Sequence, residues 1–261
     1  MSADHILVER DDLNIVTITL NRPDKLNALT KTMWGRLGDL FRELSADDDV
    51  RCIVMTGAGG KAFSPGNDIS EFETDRSNSV QASAYGALMA RNIDAMRDCP
   101  HPKVAAIRGI CVGGGMEIAG LCDVRICGQR SRFGVPISKL GLVMGYHEIG
   151  ALKSLVGAGP ALEILLEGRV FDAEEAQRLG VVSRIVADDD VMAEARAAAE
   201  RIAAGAPLVH RWHRKFLKRL EDPTPLTPDE IEEAYACFDT EDFQTGYQAF
   251  LNKKTPAFKG R

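Results

Sequence analysis

Apolar and polar positions alternate in two different ways along this chain. Asn14 to Leu20 (NIVTITL) is β-branched with period two, which predicts a strand, and Asn21-Arg22-Pro23-Asp24 ends it. Thr30 is placed to cap a helix over 31–45, where Met33, Trp34, Leu37, Leu40, Phe41 and Leu44 recur at three- and four-residue spacing. Arg51 to Thr56 reads as a buried strand, followed by a long loop over 57–78 and a helix near 80–98. Lys103 to Arg108 is a further strand. Gly113-Gly114-Gly115 opens a short helix that runs to Leu121, and Asp123 to Cys127 is again a strand. Strands and helices in this alternation predict an α/β fold with a mainly parallel sheet and crossover helices.

After about residue 145 the pattern changes. Helical spacing covers 148–156, 160–167, 173–179, 189–204, 207–220, 226–238 and 241–251, interrupted by one short strand at 181–186. Gly157-Ala158-Gly159-Pro160 and Glu221-Asp222-Pro223-Thr224-Pro225 read as connectors. No internal repeat or low-complexity tract appears.

Composition narrows the field without choosing within it. Hydrophobic residues are 45% and charged residues 27%, so disorder is excluded as the dominant state. A net charge of −6 offers no general field for phosphates, which speaks against nucleic acid as the main partner. No apolar run is long enough to predict a membrane span, and MSADHILVERDD has acids where a signal peptide needs basic residues, so a cytoplasmic location is expected. The six cysteines form no CxxC pair, and most lie in apolar runs, which predicts reduced, buried thiols rather than disulfides or a metal site. His210 and His213 have the spacing of two metal ligands on a helix face. They lie in the basic amphipathic stretch HRWHRKFLKR, and a solvated face is the expectation, so no metal is assigned.

Three partial motifs fail on mechanism. Gly57-Ala58-Gly59-Gly60-Lys61-Ala62 matches a loose dinucleotide fingerprint, but loop residues Ser64-Pro65-Gly66-Asn67 follow where a helix must begin. Gly60-Lys61 is no phosphate loop, because Ala62 stands where a hydroxyl would hold magnesium. Around Ser64 the sequence suggests a nucleophile elbow, yet Pro65 has no N–H to give to an oxyanion.

Two glycine-bearing segments remain. In Gly109-Ile110-Cys111-Val112-Gly113-Gly114-Gly115-Met116-Glu117, three glycines expose the backbone at a helix start, where N–H groups lack partners and the dipole is positive. Glu117 follows Gly114 by three residues on nearly the same face, and helical side chains lean toward the N-terminus. Its neighbours Met116, Ile118, Ala119 and Leu121 are apolar, so its carboxyl is expected to be buried, where it is expensive unless it does chemical work. The other segment, Lys61 to Ile69, can supply a second N–H from Asn67. Two convergent N–H groups on one oxygen are what a developing enolate needs.

The chain resembles the crotonase, or enoyl-CoA hydratase/isomerase, superfamily. The likeness rests on ITLNRPDKLNAL at 18–29, IVMTGAGGKAFSPGNDI at 53–69, KVAAIRGICVGGGMEIAGLCDVRIC at 103–127, FGVPISKLGL at 133–142 and the tail AFLNKKTPAFKGR. The resemblance implies a spiral of ββα turns with a core over 1–200 that holds the CoA and acyl site. A helical region over 201–261 would then pack on the core and on neighbouring subunits in a homotrimer or a dimer of trimers. It implies acyl-CoA substrates, an oxyanion hole from the N–H groups of Asn67 and Gly114, a catalytic Glu117, and no cofactor beyond the CoA that the substrate carries. CoA contacts are expected at Ala62, Gly66, Asp68 and Ile69, with Lys25 and Lys259 as candidates for the phosphates.

One position departs from the resemblance. The family's hydratases carry a second glutamate just after the proline of the segment like FGVPISKLGL, and here that residue is Ile137. Tyr146, His147 and Glu148 are the candidates to replace it, on chemistry and proximity alone. Hydration of a 2-enoyl-CoA is the leading expectation. Isomerisation or decarboxylation with a single carboxylate, and a non-catalytic CoA-binding scaffold, are the alternatives.

Overall fold

The computed structural model describes residues 4–261. Its first strands are β1 (Ile6–Arg10) and β2 (Ile15–Leu20), an antiparallel pair. Helix α1 (Lys31–Ser45) follows, and the Thr30 side chain accepts from the Met33 N–H as its cap. A strand pair then repeats three times, each time followed by helix. β3 (Cys52–Gly57) and β4 (Ala62–Ser64) precede α2 (Phe72–Asp75) and α3 (Ser79–Asp98). β5 (Lys103–Ile107) and β6 (Ile110–Val112) precede α4 (Gly114–Gly120). β7 (Val124–Gly128) and β8 (Arg132–Gly134) precede α5 (Tyr146–Val156).

The first strand of each repeat enters one sheet and the second enters another. The larger sheet has the order β1-β2-β3-β5-β7-β10 and is parallel from β2 onward, with β10 (Arg184–Val186) at its far edge. The smaller has the order β4-β6-β8-β9, where β9 is Val170–Phe171. This is the ββα spiral expected from the resemblance. The four short strands β4, β6, β8 and β9, and the edge strand β1, do not appear in the reading of the sequence. The strand expected at 181–186 shortens to β10, and the expected loop over 57–78 contains β4 and α2.

Successive residues of the central strands face two separate cores. Cys52 and Val54 of β3, with Val104 and Ala106 of β5, join Ile15 and Ile126 under α8 (Val191–Ala203). Ile53, Met55, Ala105 and Ile107 face the larger core with α1 and α3. Burial on both faces explains why these strands read as unbroken apolar runs. Helix α6 (Ala158–Glu167) precedes β9, and α7 (Ala173–Arg178) lies between β9 and α8. Beyond α8 come α9 (Pro207–Arg219), α10 (Pro228–Glu233) and α11 (Glu241–Leu251), so the helix expected over 226–238 is half that length. Five of the six free cysteines are buried, and no group of metal-ligating side chains exists among the described residues. His210 sets its Nε2 against the Ile202 carbonyl, 3.1 Å away, a structural contact. No described helix is long and apolar enough to cross a membrane.

Helix α4 meets the smaller sheet closely at Gly115. A Cβ there would stand 2.2 Å from the Ser64 carbonyl oxygen, which is backbone of β4 and cannot swing aside. Gly115→Ala is therefore expected to lower stability by about 1–3 kcal/mol through overpacking, read as a fall in denaturant midpoint without a change in slope.

Candidate active site

The site begins with the Asn21–Leu29 turn, which holds the next loop in place. Buried Asn27 donates through Nδ2 to the carbonyls of Ala58 (3.0 Å) and Ala62 (2.8 Å) and accepts from the Arg22 N–H (2.9 Å). Arg22 in turn pairs with Asp68 at 2.9 Å. Leu29 then bridges the extended segment Gly66–Asp68 in parallel, its N–H donating to the Gly66 carbonyl and its carbonyl accepting from Asp68, both at 2.8 Å. Backbone groups alternate sides along an extended segment, so the Asn67 N–H between these two points away from Leu29.

That turn lies against the start of α4. Gly66 has φ +97°, and a Cβ on it would stand 2.8 Å from the Gly114 nitrogen and 3.2 Å from the Val112 oxygen. Only glycine permits this approach. Gly114 is the first residue of α4, so its N–H has no carbonyl one turn earlier to bond. Among the described residues neither the Asn67 N–H nor the Gly114 N–H donates to any protein acceptor. Both residues line one cavity of about 350 Å³.

Trp34 secures this arrangement, and the reading of the sequence assigned it only to the core of α1. Its Nε1 donates to Asn67 Oδ1 at 2.6 Å, and its ring edge lies 3.3 Å from the point where a Gly114 Cβ would stand. One indole thus touches both N–H-bearing segments.

Glu117 lines the same cavity one turn further along α4, with a relative exposure of 8%. Its Oε1 is buried without a hydrogen-bond partner. Burial pushes its pKa well above the ordinary 4.5, and the charge of Glu148 pushes the same way. Glu148 is at the third position of α5. Its Oε2 accepts from the Gly145 N–H at 2.5 Å, so it closes the helix start, and it also lines the cavity. Its pKa is raised by burial, partly offset by that N–H and by the positive fields of Arg76 and His147.

The other candidates are placed as follows. Gly66, Asp68 and Ile69 line the cavity, although both Asp68 oxygens are already used, one by Ser70 and one by Arg22. Ala62 is buried in β4 with its carbonyl taken by Asn27, so it does not reach the cavity. Tyr146 is 95% exposed and lines nothing, because the first turn of α5 turns Glu148 inward instead. His147 Nδ1 faces Asp94 at 3.2 Å, outside the cavity. Lys25 lies on the surface, and Lys259 pairs with Glu241 at 2.7 Å; neither borders the cavity. Ile137 does, together with Val135 and Pro136, so the place of the second glutamate is a hydrocarbon wall. Phe72 and Arg76 also line the cavity and were hidden by the expectation of a featureless loop.

The profile of the family described as enoyl-CoA hydratase/isomerase matches residues 10–261. The short-chain-enoyl-CoA hydratase of Clostridium acetobutylicum is 32% identical, with all of both chains aligned. The crotonyl-CoA hydratase of Syntrophomonas wolfei is 30% identical over 99% of each chain. Among solved structures, an enoyl-CoA hydratase/carnithine racemase from Magnetospirillum magneticum is 48% identical. It superposes with a TM-score of 0.96 over 100% of this chain and 97% of its own.

Glu117 also has a consequence for stability. Its folded pKa lies above the 4.5 of an unfolded glutamate, so the unfolded chain ionises first as pH rises and is favoured by it. Stability is lost upward from about pH 4.5 until the folded carboxyl itself ionises. Glu117→Gln should therefore be more stable than wild type at pH 7 to 8, with the gap in melting temperature closing as pH falls toward 4.5. A gap that widened in acid would contradict the assignment of a buried, neutral carboxyl.

Proposed function

Because this chain belongs to the enoyl-CoA hydratase/isomerase family, we propose that it adds water to the double bond of a 2-enoyl-CoA held in the Glu117 cavity. The single observation that carries the reading is the company in that cavity: two carboxyls, Glu117 and Glu148, with the undonated N–H groups of Asn67 and Gly114. The thioester oxygen sits on the two N–H groups at the positive end of α4, where negative charge grows as the enolate forms. Burial and mutual repulsion favour one negative charge shared between the two carboxyls. The ionised one takes a proton from water, and the hydroxyl bonds to the carbon distal to the thioester. The protonated one gives its proton to the carbon beside the thioester, which restores one charge on the pair. Glu148 thus supplies from α5 what Ile137 lacks. The reaction needs no cofactor other than the CoA of the substrate.

Two observations favour a second reading, isomerisation of a 3-enoyl-CoA by Glu117 alone. Ile137 is apolar, and the Gly145 N–H already holds Glu148 Oε2. In that case Glu117 takes a proton from one carbon and returns it to another, with the enolate held in the same way.

We also propose a homotrimer or dimer of trimers. Helix α9 buries only Pro207, and Leu217, Leu220, Phe250 and Leu251 stand exposed on the C-terminal helices. A cytoplasmic location fits six free thiols, which persist in a reducing compartment.

Incubation with 2-enoyl-CoA and 3-enoyl-CoA esters, followed by mass detection of water gain, separates the two chemistries. Hydration should fall by roughly 10²–10⁴-fold in both Glu117→Gln and Glu148→Gln. Isomerisation that survives Glu148→Gln but not Glu117→Gln would favour the second reading, and hydration that survives Glu117→Gln would overturn both. Gly114→Pro suits the first helical position yet deletes the N–H, so kcat should fall by about 10²–10³-fold. Light scattering at micromolar concentration should give three or six chain masses, and a monomer would refute the assembly.

A further inference from the structure

The cavity is lined by a cation that has no ion-pair partner among the described residues. Arg76, at the end of α2, lines it beside Phe72, Ile137, Leu140 and Leu142. Its guanidinium lies over the Phe72 ring at 4.7 Å and the Tyr85 ring at 4.8 Å from the centroids. Among the described residues no carboxylate oxygen lies within 4.0 Å of it. The acids nearest in the chain are otherwise engaged or turned outward. Asp75 pairs with Lys31 at 2.6 Å, Glu71 accepts from the Lys31 N–H at 2.8 Å and from the Tyr85 hydroxyl at 3.4 Å, and Glu73 is exposed.

A guanidinium held over aromatic rings still offers its N–H groups as a planar fork, the geometry that suits a carboxylate. A wall needing only to be apolar would not hold a permanent charge there. We propose that Arg76 binds a second carboxylate on the acyl chain, so that the preferred ligands are CoA thioesters of acidic acyl groups. The inference rests on the reading that this cavity takes acyl-CoA. The methylenes between thioester and carboxylate would run along Ile137, Leu140 and Leu142. The phosphates of CoA are the other possible anion. Against them, Arg76 lines the same cavity as both carboxyls, and its charge is felt by Glu148.

The test is calorimetric binding of succinyl-, glutaryl- and adipoyl-CoA against butyryl-, valeryl- and hexanoyl-CoA, which are matched in chain length and share one CoA. At least one acidic ligand should bind more tightly than its methyl-ended match. Arg76→Gln should weaken that ligand by about 10- to 100-fold, the range of a charge-assisted hydrogen bond, and leave its match unchanged. Arg76→Lys, which keeps the charge without the fork, should recover part of the loss. Equal weakening of both sets by Arg76→Gln would assign the guanidinium to CoA phosphates and overturn the proposal, as would equal binding of all six ligands to wild type. Binding is read without turnover, so a failure of Arg76 leaves hydration standing. Failure of all six to bind would instead remove the acyl-CoA reading and this inference together.

Discussion

The site depends on one close contact between two backbones, the Gly66 turn and the Gly113–Gly115 start of α4. Side chains are excluded there on both sides: a Cβ on Gly66 would meet Gly114 at 2.8 Å, and one on Gly115 would meet Ser64 at 2.2 Å. Everything chemical follows from that proximity. Two peptide N–H groups are left without acceptors on one cavity, and a helix dipole points into it. Peptide groups that continue β4 and β6, neighbours in the smaller sheet, cannot rotate away, so no side-chain entropy is lost when they receive an oxyanion. The Asn27, Arg22 and Trp34 hydrogen bonds act on the same contact from outside, fixing the loop that carries Asn67.

Glu117 shows the converse. Among the described residues nothing hydrogen-bonds its buried Oε1, although satisfied polar atoms are the rule in protein interiors. The fold tolerates this because the large core spreads over two sheets and both faces of one of them. A carboxyl whose pKa is raised by burial holds its proton to higher pH than an exposed glutamate does, which suits it to donate one. The same desolvation that weakens the protein therefore equips it.

The parts legible in the sequence were those with strong local patterns. The α1 stripe with its Thr30 cap, the buried runs of β3 and β5, and the glycine helix start needed only nearby residues to be recognised. The strands β4, β6 and β8 were missed because three residues cannot display a period, and their identity depends on pairing with partners distant in the chain, such as Ala62 with Ile110 and Ile110 with Arg132. Near residue 146 the difficulty was angular. Tyr146, His147 and Glu148 are successive residues about 100° apart on a helix, so no more than one can face inward, and composition does not reveal which. Glu148 is selected because the third position of a helix reaches back to the N–H that precedes it. Phe72 and Arg76 had the i, i+4 spacing of a helical turn, but a four-residue helix gives no periodicity to notice.

Between Leu142 and Glu148 the cavity is bounded by a wall a single residue thick. Leu142, Met144 and Glu148 face the ligand space, while Val143, 84% exposed, and Tyr146 face outward from the same stretch. The oxyanion-binding end of the cavity, by contrast, is made from backbone that continues two paired strands of the smaller sheet. Selection for a new acyl group can then act on a few side chains of the thin wall without disturbing the glycine contact. In such a scaffold substrate range is free to drift quickly while the chemistry stays nearly invariant.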